Sequence, residues 1–184
     1  MIVNCRCILK AITLSAVLFL SLSTPARAEN LLSLQVGAFS PGGDYPGTME
    51  DGGDFGIFYT NTTRRLGFEL GMHGYRTKMR GSADVGIVGA ELLVTFQDPM
   101  ASVQPYGGLG FGYYTVEADY DSGAKEKYQG SGIVAEVGVR GYIESLFIGL
   151  QIKGFTNKVD EAGILPGDSD HGGVSVDMTL GMIF

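Results

Sequence analysis

The stretch VSVDMTLGMIF, Val174 to Phe184, decides the fold. Its even positions, Val174, Val176, Met178, Leu180, Met182 and Phe184, are all apolar. Its odd positions are Ser175, Asp177, Thr179, Gly181 and Ile183, so only Ile183 breaks the alternation. Successive side chains of a strand point to opposite faces, so a period of two marks a strand with two unlike faces.

The same period recurs upstream. Leu146, Ile148, Leu150 and Ile152 alternate with Phe147, Gly149, Gln151 and Lys153. Ile133, Ala135, Val137 and Val139 alternate with Val134, Glu136, Gly138 and Arg140. Leu109, Phe111 and Tyr113 are separated by glycines, and Leu66, Phe68, Leu70 and Met72 alternate with Gly67, Glu69, Gly71 and His73. Phe55, Ile57 and Tyr59 form another apolar row, as do Leu32, Leu34, Val36 and Ala38. Val85 to Phe96 is the least regular, because Ile87 and Leu93 fall on the face opposite Val88, Ala90, Leu92, Val94 and Phe96. The sum is eight strands.

The connections alternate strictly between short and long. Thr60 to Arg65, Gln97 to Gln104 and Ile143-Glu144 are short; Ser40 to Asp54, Arg76 to Ala83, Glu117 to Lys127 and Thr156 to Gly172 are longer and polar. An up-and-down meander then gathers the short turns, and both termini, at one end. Register parity agrees. Opposed residues of a bulge-free hairpin share a face, and the apolar face changes parity across each short connection. At the last, pairing Tyr142 with Ser145 places Gly141 opposite Leu146.

Composition excludes other classes. The chain has 184 residues, of which 29 are Gly and none is Trp, and 18% are charged. Disordered chains are more charged and less aromatic. This much Gly disfavours helix interiors. The Gly residues have no period of three, which excludes collagen.

The first segment reads as an address. Arg6 and Lys10 precede the apolar run Ala11 to Leu22, and Ala26-Arg27-Ala28 fits a small-x-small cleavage site. Residues 1–28 are therefore expected to be a cleaved signal peptide, and residues 29–184 the folded domain. Cys5 and Cys7 precede the apolar run, so the mature chain is free of cysteine and a lipoprotein cysteine is not expected. Ten basic and twenty acidic residues remain after Ala28. That balance argues against nucleic acid as a partner.

The two faces distinguish the possible barrels. A soluble ligand carrier points its apolar face inward and shows water a face rich in charge. Here the other face is small: Gly67, Gly71, Gly108, Gly110, Gly112, Gly138, Gly149 and Gly181, with a few charges of both signs at Glu69, Glu136, Arg140, Lys153 and Asp177. An eight-stranded barrel has room inside only for packed side chains. The apolar face carries no charge over about ten residues per strand, the length a tilted strand needs to cross a bilayer. Closure leaves no unpaired amides in lipid. Tyr59, Tyr75, Phe96, Tyr106, Tyr142, Phe155 and Phe184 lie near strand ends and read as interfacial girdles.

With these features the chain resembles the small outer-membrane β-barrel proteins of Gram-negative bacteria, the OmpA-barrel/OmpX-like group, over Leu31 to Phe184. The strand ending in Phe184 and the glycine-aromatic stretch Pro105 to Tyr113 carry the likeness most specifically. The resemblance implies an all-β, eight-stranded antiparallel transmembrane barrel in the cell outer membrane. Its partners would be outer-membrane lipid, lipopolysaccharide, and the barrel-assembly machinery that reads the C-terminal strand through Phe184. Nothing follows Phe184 in the sequence, so no peptidoglycan-binding domain and no cell-wall-anchoring role are expected.

Chemistry is thin. Barrel enzymes that modify lipid need a nucleophile beside a base, normally Ser with His. His73 sits on the small-residue face near Glu69 and reads as a satisfied interior histidine, while His171 lies in Asp168-Ser169-Asp170-His171-Gly172 at the end of the last loop. No catalytic, cofactor-binding or metal-ligating residues are assigned, and no cofactor is expected. The long connections are acidic: Asp44, Glu50, Asp51 and Asp54; Glu117, Asp119, Asp121 and Glu126; Asp160, Glu161, Asp168 and Asp170. None has complete calcium-loop spacing, so they read as solvated. Arg76, Lys78 and Arg80 make the second connection basic, suited to lipopolysaccharide phosphates. A GxGxxG reading at Gly108 fails because a strand follows where a helix is required. The leading expectation is a structural or surface-interaction protein, not an enzyme. The alternatives are a narrow pore or small-ligand channel, a lipid-modifying enzyme, and last a soluble periplasmic carrier.

Overall fold

The computed structural model describes residues 28–43, 49–63, 65–79, 83–98, 103–159 and 169–184. The expected signal segment lies outside them except for Ala28, where the first strand begins. Seven strands run up and down in chain order: β1 Ala28–Pro41, β2 Gly52–Thr63, β3 Leu66–Met79, β4 Ala83–Gln97, β5 Val103–Tyr120, β6 Lys125–Ile143 and β7 Leu146–Phe155. Two short pieces follow, β8 Lys158–Val159 and β9 Ser169–Asp170, and then the final strand, β10 Gly173–Ile183. Pairing runs in sequence from β1 to β7, then β7 to β10 and β10 back to β1, every pair antiparallel. The wall therefore closes with eight staves, as the period-two rows predict.

β8 and β9 are an addition the alternation does not reveal. β7 ends at Phe155, opposite Val134, but β6 continues above that point to Lys125. Its unpaired backbone groups need partners. Lys158 and Val159 supply them, pairing with Ser131 and Gly130. Gly132 permits the close approach, since a Cβ there would overlap the Thr156 carbonyl.

Strands extend well into the expected connections. Residues 117–120 belong to β5 and residues 125–127 to β6, leaving a turn in which Gly123 adopts φ 84°. Arg76 and Lys78 are on β3. At the short-turn end, Ile143 pairs with Leu146 and Gly141 with Ile148, so the turn is Glu144-Ser145. The expected pairing of Tyr142 with Ser145 is thus two residues out of register. It preserved the face because side-chain direction depends only on parity. Glu144 takes φ 56° to close this turn. The start of β1 and the end of β10 lie beside it: Ile183 N–H donates to the Ser145 carbonyl at 2.7 Å, and Phe184 N–H to the Asn30 carbonyl at 3.0 Å.

The expected faces are observed. Leu34, Ile57, Leu70, Leu92, Leu150 and Leu180 are each about half exposed on the outer wall, whereas Gln35, Glu69, Glu91, Arg140, Lys153 and Asp177 are buried inside. Ile87 and Leu93, the irregular pair of β4, point inward and are buried. Four of the aromatics read as girdle residues sit elsewhere. Tyr75, Tyr106 and Phe155 are buried in the lumen, and Tyr142 packs on the buried Phe147 with ring centroids 5.8 Å apart. Tyr59, Phe96 and Phe184 do face outward. Strand-end position places an aromatic in height, and only its parity decides inside or outside.

Candidate functional site

The lumen is layered along the barrel axis. Near the short-turn end, Arg140 from β6 reaches Glu69 of β3 at 3.5 Å, and its guanidinium lies 3.7 Å above the centre of the Tyr106 ring. Thr60 donates to the same Glu69 oxygen at 2.7 Å. At mid-height, Lys153 donates to Glu91 at 2.8 Å, lies 3.6 Å from Glu136 and caps the Phe58 ring at 3.8 Å. Tyr114 donates to the other Glu91 oxygen at 2.9 Å. Gln35 and Gln151 exchange amide hydrogen bonds, and Tyr106 donates to Gln151 at 2.6 Å. Burying an unpaired charge is costly, so this interlocking is what the isolated charges of the small-residue face require.

Above this layer lie His73, Asp54 and Asp177. His73 is inside, as its parity predicts, but Glu69 is not its partner. Its Nε2 contacts Asp54, and its Nδ1 lies 2.8 Å from the Tyr75 hydroxyl and 3.6 Å from Glu91. Asp54 corrects the reading of an acidic first loop: it is on β2, buried, and points into the lumen. Extending the β2 alternation by one step finds it, since Asp54 shares the parity of Gly56 and Phe58. Asp177 accepts from Ser175 at 2.9 Å and from Gln151 at 3.3 Å. Higher still, the Phe155 ring stacks on Tyr114, Tyr75 and Phe39 at 4.7–5.9 Å, Phe39 lies 4.5 Å from Tyr75, and these rings pack with Ile87, Val85 and Val116 toward the long-loop end.

His171 is buried beside Asn157, whose carbonyl accepts its backbone N–H at 2.9 Å. Of the acidic loop residues, Glu117 pairs with Lys127 at 2.6 Å and Asp119 with Lys125 at 3.0 Å. Asp44, Arg80, Asp160, Glu161 and Asp168 lie outside the described residues, as does the side chain of Asp170.

Arg76 and Lys78 continue the outward row of Leu70 and Met72 upward along β3. The outer wall is thus an apolar belt with charged residues above it, Arg76 and Lys78 on β3 and Asp84 on β4 at 3.8 Å from Lys78, and an amide-satisfied backbone behind it. A surface of this kind is stable only against lipid tails, and it defines a transmembrane β-barrel.

A family model described as "Outer membrane protein beta-barrel domain" matches residues 12–180, and the chain belongs to that family. No curated protein matches it by sequence. Among solved structures it is similar to Neisserial surface protein A (TM-score 0.65, 13% identity, covering 85% of this chain and 97% of that one). It is also similar to the outer membrane protein OprG of Pseudomonas aeruginosa (TM-score 0.61, 17% identity, 85% and 96%). A third is Ail, the attachment invasion locus protein of Yersinia pestis, solved with the heparin analogue sucrose octasulfate (TM-score 0.57, 15% identity, 85% and 99%). At these identities the likeness is one of fold. The protein is an outer-membrane β-barrel, and its location is the outer membrane.

Proposed function

We propose that this barrel is a non-enzymatic surface-interaction protein, held in the outer leaflet by lipopolysaccharide and making its contacts through the β5–β6 hairpin. The observation that carries the reading is the length of that hairpin. β5 has 18 residues and β6 has 19, against the 9–11 or so that a tilted strand needs to cross the bilayer. Their upper ends rise beyond the membrane-crossing length, backed by β4, which stays paired with β5 as far as Ala83 opposite Tyr120. Lys153 and Glu91, Arg140 and Glu69, and Gln35 and Gln151 are engaged with one another across the lumen, and His73 is held by two carboxylates and a phenol, an arrangement that supports neither a Ser–His nucleophile nor an open channel.

Replacing Glu117–Lys127 by a two-residue Asn-Gly turn is expected to leave a folded, heat-modifiable barrel and to abolish attachment of expressing cells to host-cell or matrix surfaces. Attachment retained by the shortened protein overturns the reading, as does steady conductance in planar bilayers or a change in lipid A acylation on expression.

The basic collar supplies the lipopolysaccharide contact. Arg76 and Lys78 face outward where phosphates of the outer leaflet would lie, and charged hydrogen bonds to phosphate are strong. Changing Arg76, Lys78 and Arg80 to Gln is expected to reduce lipopolysaccharide co-purification; unchanged retention rejects the contact. A sulfated ligand of the kind bound to Ail would have to use the same collar, because the hairpin carries mostly carboxylates. The assembly machinery is the second partner, through β10 and the outward ring of Phe184. A Phe184→Ala variant should assemble more slowly, and equal heat-modifiable yield would reject that role.

A further inference from the structure

We propose that Asp54, His73 and Asp177 form an internal binding site for one divalent first-row transition ion, which clamps β2, β3 and β10 together across the barrel seam. The three residues each offer a ligand atom, and these atoms lie within 4.8 Å of one another. All three are buried.

Two further observations point to a cation. Apart from the contact of His73 Nε2 at its Oδ1, Asp54 has no hydrogen-bond partner, and Oδ1 of Asp177 accepts none either. Burying such groups without partners costs free energy. The charge of the lumen is also unbalanced. Among the described residues the buried carboxylates are Asp54, Glu69, Glu91, Glu136 and Asp177, against the permanent cations Arg140 and Lys153. Glu69 has Arg140, and Lys153 serves both Glu91 and Glu136. One charge of the Glu91–Glu136 pair and those of both Asp54 and Asp177 are left over, and the latter two lie together with His73 beside them.

The strand register builds the site. Asp54, Gly37 and Asp177 occupy one lateral row over β2, β1 and β10. A Cβ at Gly37 would overlap the Asp177 carboxylate, so Gly37 opens the space in which the carboxylates meet. β1 and β10 form the seam between the first and last strands, and an ion held by Asp54 and Asp177 bridges over it. His73 comes from the next strand with Nε2 toward the carboxylates. Its Nδ1 faces the Tyr75 hydroxyl at 2.8 Å, the outer hydrogen bond that orients a ligating histidine. One imidazole and two carboxylates suit Zn²⁺, Mn²⁺, Fe²⁺ or Co²⁺, whereas Ca²⁺ and Mg²⁺ prefer oxygen alone.

The test uses the mature chain refolded in detergent with Zn²⁺, stripped of loose metal and assayed by atomic emission. About one Zn²⁺ per barrel is expected to remain. Asp54→Asn and Asp177→Asn should each lose at least tenfold in affinity, while Glu69→Gln, a buried carboxylate outside the cluster, should retain the ion. Folding of every variant is checked by its mobility shift on heating. Should the Asn variants fail to fold, Co²⁺ in the unaltered protein gives an independent readout, expected as d–d absorption bands of a nitrogen and oxygen site. Absence of retained Zn²⁺ and of a Co²⁺ spectrum overturns the proposal and leaves a proton shared between the carboxylates. Equal retention by folded Asp54→Asn and Asp177→Asn overturns it as well.

Discussion

Lys153 of β7 and Glu91 of β4 meet across the lumen at 2.8 Å, although their strands share no hydrogen-bonded ladder. Both side chains are fully buried. The pair ties opposite walls of the barrel and, with Phe58 beneath the ammonium and Tyr114 on the carboxylate, fills the lumen at mid-height.

Removing one partner of this pair leaves a buried charge without compensation. Glu91→Leu is expected to destabilise the barrel by about 3–5 kcal/mol, and Lys153→Met by a similar amount. The double variant should recover much of that loss, because an apolar pair of similar volume needs no counter-charge. Urea unfolding in lipid vesicles, read by the loss of heat-resistant mobility, checks the cycle. Losses that simply add would show that the two groups do not interact.

Large interior rings depend on the absence of side chains opposite them. Phe58 of β2 faces Gly71 of β3, and a Cβ at Gly71 would overlap the Phe58 ring. Gly71→Ala should cost about 1–3 kcal/mol through overpacking. Adding Phe58→Leu should restore part of it, although the same change alone destabilises. The unfolding midpoints of the four proteins test that reversal of sign.

Charge on the outer wall should be penalised by depth. Leu150 pairs with Met178 near mid-strand, and Leu146 begins β7 at the short-turn rim. Leu150→Arg is expected to cost about 2–4 kcal/mol, and Leu146→Arg about 0–1 kcal/mol. Equal costs at the two positions would mean that no hydrocarbon slab surrounds this wall.

Glu144 occupies left-handed backbone at φ 56°, a region that costs an L side chain roughly 1–2 kcal/mol. Glu144→Gly should therefore raise stability by up to about 1 kcal/mol, the gain reduced by the larger entropy of glycine in the unfolded chain. The midpoint of urea unfolding is the measurement. A lower midpoint would mean that the Glu144 side chain contributes contacts worth more than the backbone strain.

The sequence by itself determined the eight wall strands, their order and the face each presents to lipid, but not the short β8 and β9. Those properties are local: the alternation of Val174 to Phe184 needs only the period of the pleat, and short turns force neighbours to pair. Parity even survived the misplaced turn at Tyr142 and Ser145, because a two-residue slip returns every side chain to its own side. What only the tertiary structure decided is which interior groups meet. Lys153 and Glu91 are 62 residues apart and come from non-neighbouring strands, so no spacing in the chain announces them. Asp54 was hidden for a related reason: it lies at the upper end of β2 in a stretch that reads as loop, and becomes interior only when the wall closes around it. Likewise Tyr75, Tyr106 and Phe155 have the composition of girdle residues. Closure of the barrel, which turns one side of every strand toward a shared axis, makes them its packing.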